Sequence, residues 1–115
     1  MSLKIYHNPR CSKSRQTLKL IEEAGETAET ILYLNESLSA AEITQLLEKL
    51  GFTDARALMR TNEAIYKELG LKTEMAQIAL IEAMAQHPKL IERPIVVKGN
   101  AAILGRPPEN VQKFL

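Results

Sequence analysis

The feature that most constrains the fold is a change of period close to the N-terminus. Leu3-Lys4-Ile5-Tyr6 reads at period two as a short strand, and Asn8-Pro9 stops it. Over residues 12–24 the apolar positions Leu18, Ile21 and Ala24, with Leu20 beside them, recur at helical spacing, and Gly25 suits the residue just past that helix. Residues 29–34 are then β-rich, with Ile31, Leu32, Tyr33 and Leu34 forming the nearly continuous apolar run of a buried parallel strand. A strand, a helix and a strand in this order make a βαβ unit, whose crossover is right-handed by strong precedent.

The rest of the chain supplies a block of helices and a second half-sheet. Ser39 followed by Glu42 matches a capping box, Ile43, Leu46, Leu47 and Leu50 continue at helical spacing, and Gly51 ends the helix. Residues 54–87 read as broken helix: 54–59, then 62–69 closed by Gly70, then a longer helix capped by Thr73 and carrying Met75, Ile78, Leu80, Ile81 and Met84. His87-Pro88 stops it. Ile95-Val96-Val97 is a strand, Gly99-Asn100 a hairpin signal, 101–104 the returning strand, and 109–115 a final helix behind Pro107-Pro108. The expected architecture is α/β: βαβ then ββα around a mixed four-stranded sheet, a thioredoxin-like fold with a helical insertion at about 54–87. The same periodicity would also fit other small α/β sheets. With 115 residues and no internal repeat, one domain over 1–115 is expected.

A net charge of +1 gives no electrostatic reason to bind nucleic acid or an acidic membrane. No apolar run approaches the ~20 residues of a membrane span, and the start lacks the pattern of a secretory signal. A soluble cytoplasmic protein is therefore expected, with no nucleic-acid or membrane partner, as a monomer. One cysteine cannot form an internal disulfide, and one cysteine with two distant histidines offers no ligand cluster, so no metal is expected.

That cysteine sits in His7-Asn8-Pro9-Arg10-Cys11-Ser12-Lys13-Ser14-Arg15, where the first strand gives way to the helix. A lone free cysteine is commonly a buried hydrophobe. This one follows an Asn-Pro turn and has polar and cationic neighbours. At a helix start its sulfur meets N–H groups without intrahelical partners, which favour an anion. Arg10, Lys13, Arg15 and His7 are candidate cations to lower its pKa further. Cys11 is thus read as a thiolate nucleophile in a pocket that also receives an oxyanion. Cys11-Ser12-Lys13-Ser14 is a C-x-x-C site with serine in second place, so an adduct on Cys11 must be cleared by an outside thiol. His7 and Asn8 shape the loop, His7 tuning the thiolate's field, and Ser14 and Arg15 could donate to an anion. Arg60, Arg93 and Arg106 stand at element ends; singly each is an ordinary surface residue, together they offer forks that match a tetrahedral oxyanion. Pro94, at the start of the third strand, occupies the place where a thioredoxin-like fold usually carries a cis-proline facing the cysteine.

Taken together, HNPRCSKSR, Leu32-Tyr33-Leu34, Arg60, His87-Pro88 through Glu92-Arg93-Pro94-Ile95-Val96-Val97, and Gly105-Arg106-Pro107 resemble the glutathione- and glutaredoxin-coupled bacterial arsenate reductase family, which also includes the Spx-type regulators. The resemblance covers essentially the whole chain. It implies that Cys11 attacks arsenate, that Arg60, Arg93 and Arg106 bind the oxyanion, and that His7 lowers the cysteine's pKa. It further implies that glutathione is a co-substrate with no bound cofactor, and that glutaredoxin takes over the glutathionyl group. Arg10, Ser12 and Lys13 make the loop more basic than in the best-known member. Two other functions compete: a general glutathione-dependent thiol oxidoreductase whose arginines hold the tripeptide's carboxylates, and an Spx-like redox-sensing adaptor of RNA polymerase. The adaptors typically carry a C-x-x-C pair, which is absent here.

Overall fold

β1 (Leu3–Tyr6) is the strand on which the sheet is built, because it has a partner on each side. In the computed structural model, which describes residues 2–115, β2 (Ala28–Ile31) lies parallel to one side of it and β3 (Ile95–Lys98) antiparallel to the other. β4 (Ala101–Leu104) follows β3 outward through the Gly99-Asn100 turn, giving the order β2-β1-β3-β4. Met1 lies outside the described residues.

The chain divides into two compact units. The sheet unit comprises the segment up to Glu36 together with Arg93–Leu115. Ile5 is paired with Thr30 and Val96, so Leu3, Ile5 and Val96 share one face. There they pack with Ile21 of α1 (Ser12–Glu23) and Val111 of the C-terminal segment, while Leu18, Leu20, Ala28, Ile103 and Phe114 close the edges. This face is the unit's core. Each Val, Leu or Ile buried there contributes about 1.5–3 kcal/mol relative to exposure.

Two elements differ from the sequence reading. The apolar run 31–34 is not a continuous buried strand: β2 ends at Ile31, which pairs with Tyr6, the last residue of β1. With no partner strand left, the chain turns, and the Leu32 carbonyl accepts the N–H groups of Asn35 and Glu36 at 2.9 and 3.0 Å. Tyr33 is buried and Leu34 is 44% exposed. The final helix is a 3₁₀ segment, Pro108–Phe114, anchored near its start by the Asn110 side chain, which donates to the carbonyls of Leu104 and Arg106.

The helical unit spans Ser37–Glu92, wider than the expected 54–87, because α2 (Ala40–Leu50) packs on α4 (Gln77–Gln86). The capping box forms as read: Ser39 Oγ accepts the Glu42 N–H and the Glu42 carboxylate accepts the Ser39 N–H. Gly51, at φ 75°, closes α2, with Phe52 N–H donating to the Leu47 carbonyl at 3.0 Å, the closure in which a left-handed glycine is favoured. Between α2 and α4 run the 3₁₀ turn Ala55–Leu58, α3 (Ala64–Glu68) and the 3₁₀ turn Leu71–Thr73; Pro88–Leu90 is a third turn. Thr73 does not cap the long helix. It ends a 3₁₀ turn, and α4 begins only after Ala76, because the Arg56 guanidinium takes the carbonyls of Leu71 and Glu74 and holds 71–74 out of helical geometry. Met75 and Ile78, read among the apolar residues of that helix, are 93% and 56% exposed. No helix among the described residues is long and apolar enough to cross a membrane.

Candidate active site

The end of β1 feeds directly into the cysteine loop. His7 N–H donates to the Ile31 carbonyl at 2.9 Å, one step beyond the paired strand residues. The chain then turns on Asn8, whose side-chain Oδ1 accepts Arg10 N–H and whose carbonyl accepts Cys11 N–H, each at 3.0 Å. Cys11 is the N-cap of α1, with extended backbone at φ −95° and ψ 123°, and its carbonyl accepts the first helical N–H, from Arg15.

Cys11 is 8% exposed, and burial alone would raise its pKa. Against this act the backbone N–H of Ser14, the charge and donated hydrogen bond of the Arg93 guanidinium, and the N–H of Lys13, and the balance leaves the thiol below its ordinary value. The α1 first turn carries no acidic residue. The anion at Cys11 therefore meets no local repulsion.

Arg93 reaches the sulfur through an arrangement of the β3 and β4 ends. The Arg93-Pro94 and Arg106-Pro107 bonds are both cis. Gly105 N–H donates to the Pro94 carbonyl at 2.9 Å, and Arg106 Nη1 donates to the Arg93 carbonyl at 3.2 Å. These contacts bind the two X-Pro segments side by side. Gly105 is required by space: a Cβ there would stand 2.7 Å from Pro94 Cγ and closer still to Thr17 Oγ1. Thr17, fully buried on α1, donates to the Lys13 carbonyl at 2.8 Å and reaches the Gly105 carbonyl at 3.4 Å. Thr17 and Gly105 thus fix the distance between the helix that carries Cys11 and the segment that carries Arg93. The sequence reading named Gly105 only within the Gly105-Arg106-Pro107 run and did not single out Thr17; the available signal was a threonine between Ser14 and Ile21 on the buried stripe of the helix.

The neighbours in sequence play other parts than expected. His7, 7% exposed, has its pKa lowered by burial and by the Arg15 charge, both of which disfavour its charged form. Its Nδ1 lies 2.6 Å from Ser14 Oγ, which also accepts Asn8 N–H at 3.0 Å. One proton is shared between His7 Nδ1 and Ser14 Oγ. Ser14, expected to donate to an anion, is fully buried and ties His7 to the Asn8 backbone. Arg15, expected in the same role, donates Nη1 to the Pro9 carbonyl at 2.8 Å and so braces the loop from the helix side. The cation at the sulfur is Arg93, not Arg10, Lys13 or Arg15. Arg60 belongs to the helical unit, where its guanidinium pairs with Glu63 at 3.1 Å and with Glu92 at 3.9 Å. Among the described residues no group of three or more His, Cys, Asp or Glu side chains could hold a metal ion.

A buried cysteine at a helix start, its pKa lowered, on a four-stranded mixed sheet defines a thioredoxin-like protein with a cysteine centre. The ArsC family model matches residues 6–114, and the chain belongs to the ArsC family. It is 54% identical to the uncharacterized protein YfgD of Escherichia coli (strain K12), over 98% of this chain and 96% of that one. It is 47% identical to a protein of Haemophilus influenzae named arsenate reductase, over the full length of both. A solved structure titled arsenate reductase from Vibrio cholerae superposes with a TM-score of 0.97 at 52% identity, covering 100% of this chain and 98% of that one.

Proposed function

We propose that the protein is an arsenate reductase that works through Cys11 and two external thiols, glutathione and glutaredoxin. The observation that carries this reading is the thiol of Cys11, lowered by helical N–H groups and by Arg93, in a chain whose full-length relatives are named arsenate reductases. The Cys11 thiolate attacks arsenic, an S–As bond forms, and one arsenate oxygen leaves, taking up protons to become water. Arg93 and Arg106 offset the charge on the remaining oxygens, as preorganised donors do for any developing oxyanion. Glutathione then adds its sulfur to arsenic. A glutaredoxin thiolate attacks the glutathione sulfur; the S–As electron pair falls to arsenic, which becomes arsenic(III), and a mixed disulfide leaves. Hydrolysis frees arsenite and returns the thiolate. In sum, arsenate and two thiols become arsenite, one mixed disulfide and water.

External thiols are needed because the second position of the C-x-x-C pattern is Ser14, a residue with no sulfur to attack an adduct. A supply of reduced glutathione makes the cytoplasm the compartment of this reading, and no step calls for a second copy of the chain. Arg60 enters through the family resemblance as a third oxyanion-binding arginine, and Arg60→Ala is expected to raise the KM for arsenate. The test is NADPH consumption with arsenate, glutathione, glutaredoxin and a glutathione-reducing system. Wild type should sustain it and Cys11→Ser should abolish it. Turnover of glutathione mixed disulfides at the same rate without arsenate would replace this reading with that of a general thiol oxidoreductase.

A further inference from the structure

We propose that a cleft of about 370 Å³ on the β2 flank of the cysteine loop seats the carboxylate-bearing thiol that attacks the arsenic adduct. This rests on the thiol-dependent reading above. The cleft lies between the loop residues Asn8, Pro9 and Arg10 and the turn residues Leu32, Leu34 and Asn35, with His7 at its inner end. Its volume falls in the range of small-molecule sites.

The sheet order assigns its occupant. β1 ends at the loop; β2 lies on one side of it and β3 on the other. Arg93, immediately before Pro94 and β3, comes to the sulfur from the β3 side, whereas residues 32–35 follow β2. The oxyanion and a second reactant can therefore approach Cys11 from opposite flanks. The loop borders the cleft, since Asn8, whose carbonyl accepts Cys11 N–H, is one of its lining residues.

The lining chemistry narrows the ligand further. Arg10 is exposed and its guanidinium makes no ion pair among the described residues, while its backbone is held by Asn8 Oδ1. No acidic residue lines the cleft. Asn35 offers an amide with no side-chain hydrogen bond among the described residues, and Leu32 and Leu34 supply an apolar wall. A single arginine beside two leucines suits a carboxylate on an aliphatic, amide-containing stem better than an inorganic oxyanion. A tripeptide thiol has these parts and is roughly 10 Å long when extended. Once seated, its sulfur bonds to arsenic, and the displaced oxygen leaves as water with the thiol's proton.

The experiment titrates S-methylglutathione, which cannot react, into the full chain without arsenate and reads binding by calorimetry. Saturable binding is expected, weakened about tenfold by Arg10→Gln, which removes a charge-assisted contact, and also weakened by Leu34→Ser. Iodoacetamide alkylation of Cys11 should be unchanged in both variants, and esterifying the ligand's carboxylates should weaken binding to wild type as Arg10→Gln does. In turnover, Arg10→Gln should raise the KM for glutathione and leave that for arsenate unmoved. Absence of saturable binding, or binding indifferent to Arg10 and to esterification, overturns the assignment even if arsenate is reduced. Arg10-dependent binding in a protein that does not reduce arsenate upholds the cleft and removes the reductase reading instead.

Discussion

The two long helices that begin beside loops, α2 and α1, solve the same problem in opposite ways. At α2 the orphan N–H groups are satisfied internally: Ser39 and Glu42 exchange hydrogen bonds, and an acidic residue sits in the first turn. At α1 the N-cap is Cys11, no side-chain cap bond forms, and no acid lies in the first turn. One helix start is completed by side chains, and the other is left open with Cys11 at its mouth.

Substitutions can break this contrast. The largest expected effect is at Arg93, the side-chain cation that acts on the sulfur among the described residues. Arg93→Ala should lower kcat/KM for arsenate by about a hundredfold, the scale of one lost oxyanion donor, with unchanged circular dichroism; an effect below twofold would remove Arg93 from the account. Next comes Gly105→Ala, which forces a methyl group into Thr17 and Pro94. It should cost about 1–3 kcal/mol in denaturant unfolding and, by displacing Arg93, slow the alkylation of Cys11. Ser39→Ala should cost about 1 kcal/mol and leave Cys11 alkylation untouched.

The smallest effect has a distinctive pH dependence. Serine is a better N-cap than a neutral thiol, so Cys11→Ser should gain up to about 1 kcal/mol in acid. The folded thiol titrates below its unfolded value, so the thiolate's stabilisation is fully present above the unfolded pKa and lost as pH falls through the folded one. The serine variant's advantage should therefore shrink as pH rises through that window. Urea melts of both proteins across it measure the difference.

Much of the frame was legible because its signals are local. The β1–α1 handover, the capping box at Ser39, the closing glycines and the Gly99-Asn100 turn depend on a few consecutive residues, and each appears where its pattern predicted. The site was legible in its centre and less so in its surroundings. Cys11 was identified from its position at a helix start, and the cations that lower its pKa were sought among Arg10, Lys13, Arg15 and His7, while Arg93 was named for the oxyanion. Successive helical residues point about 100° apart, so adjacency in sequence does not aim a side chain at the sulfur. Arg93 does so from more than eighty positions away, through a contact that needs Gly105 and Thr17. Likewise the end of β2 depended on the length of its partner: Leu32 and Leu34 have strand chemistry but no residue of β1 left to pair with.

The central claim, that Cys11 is held as an anion by an open helix start and Arg93, is tested most directly by iodoacetamide alkylation of the native protein as a function of pH. The account predicts a midpoint below that of an ordinary cysteine thiol, moved upward in Arg93→Ala. A wild-type midpoint at or above the ordinary value, or one that Arg93→Ala leaves in place, would contradict it.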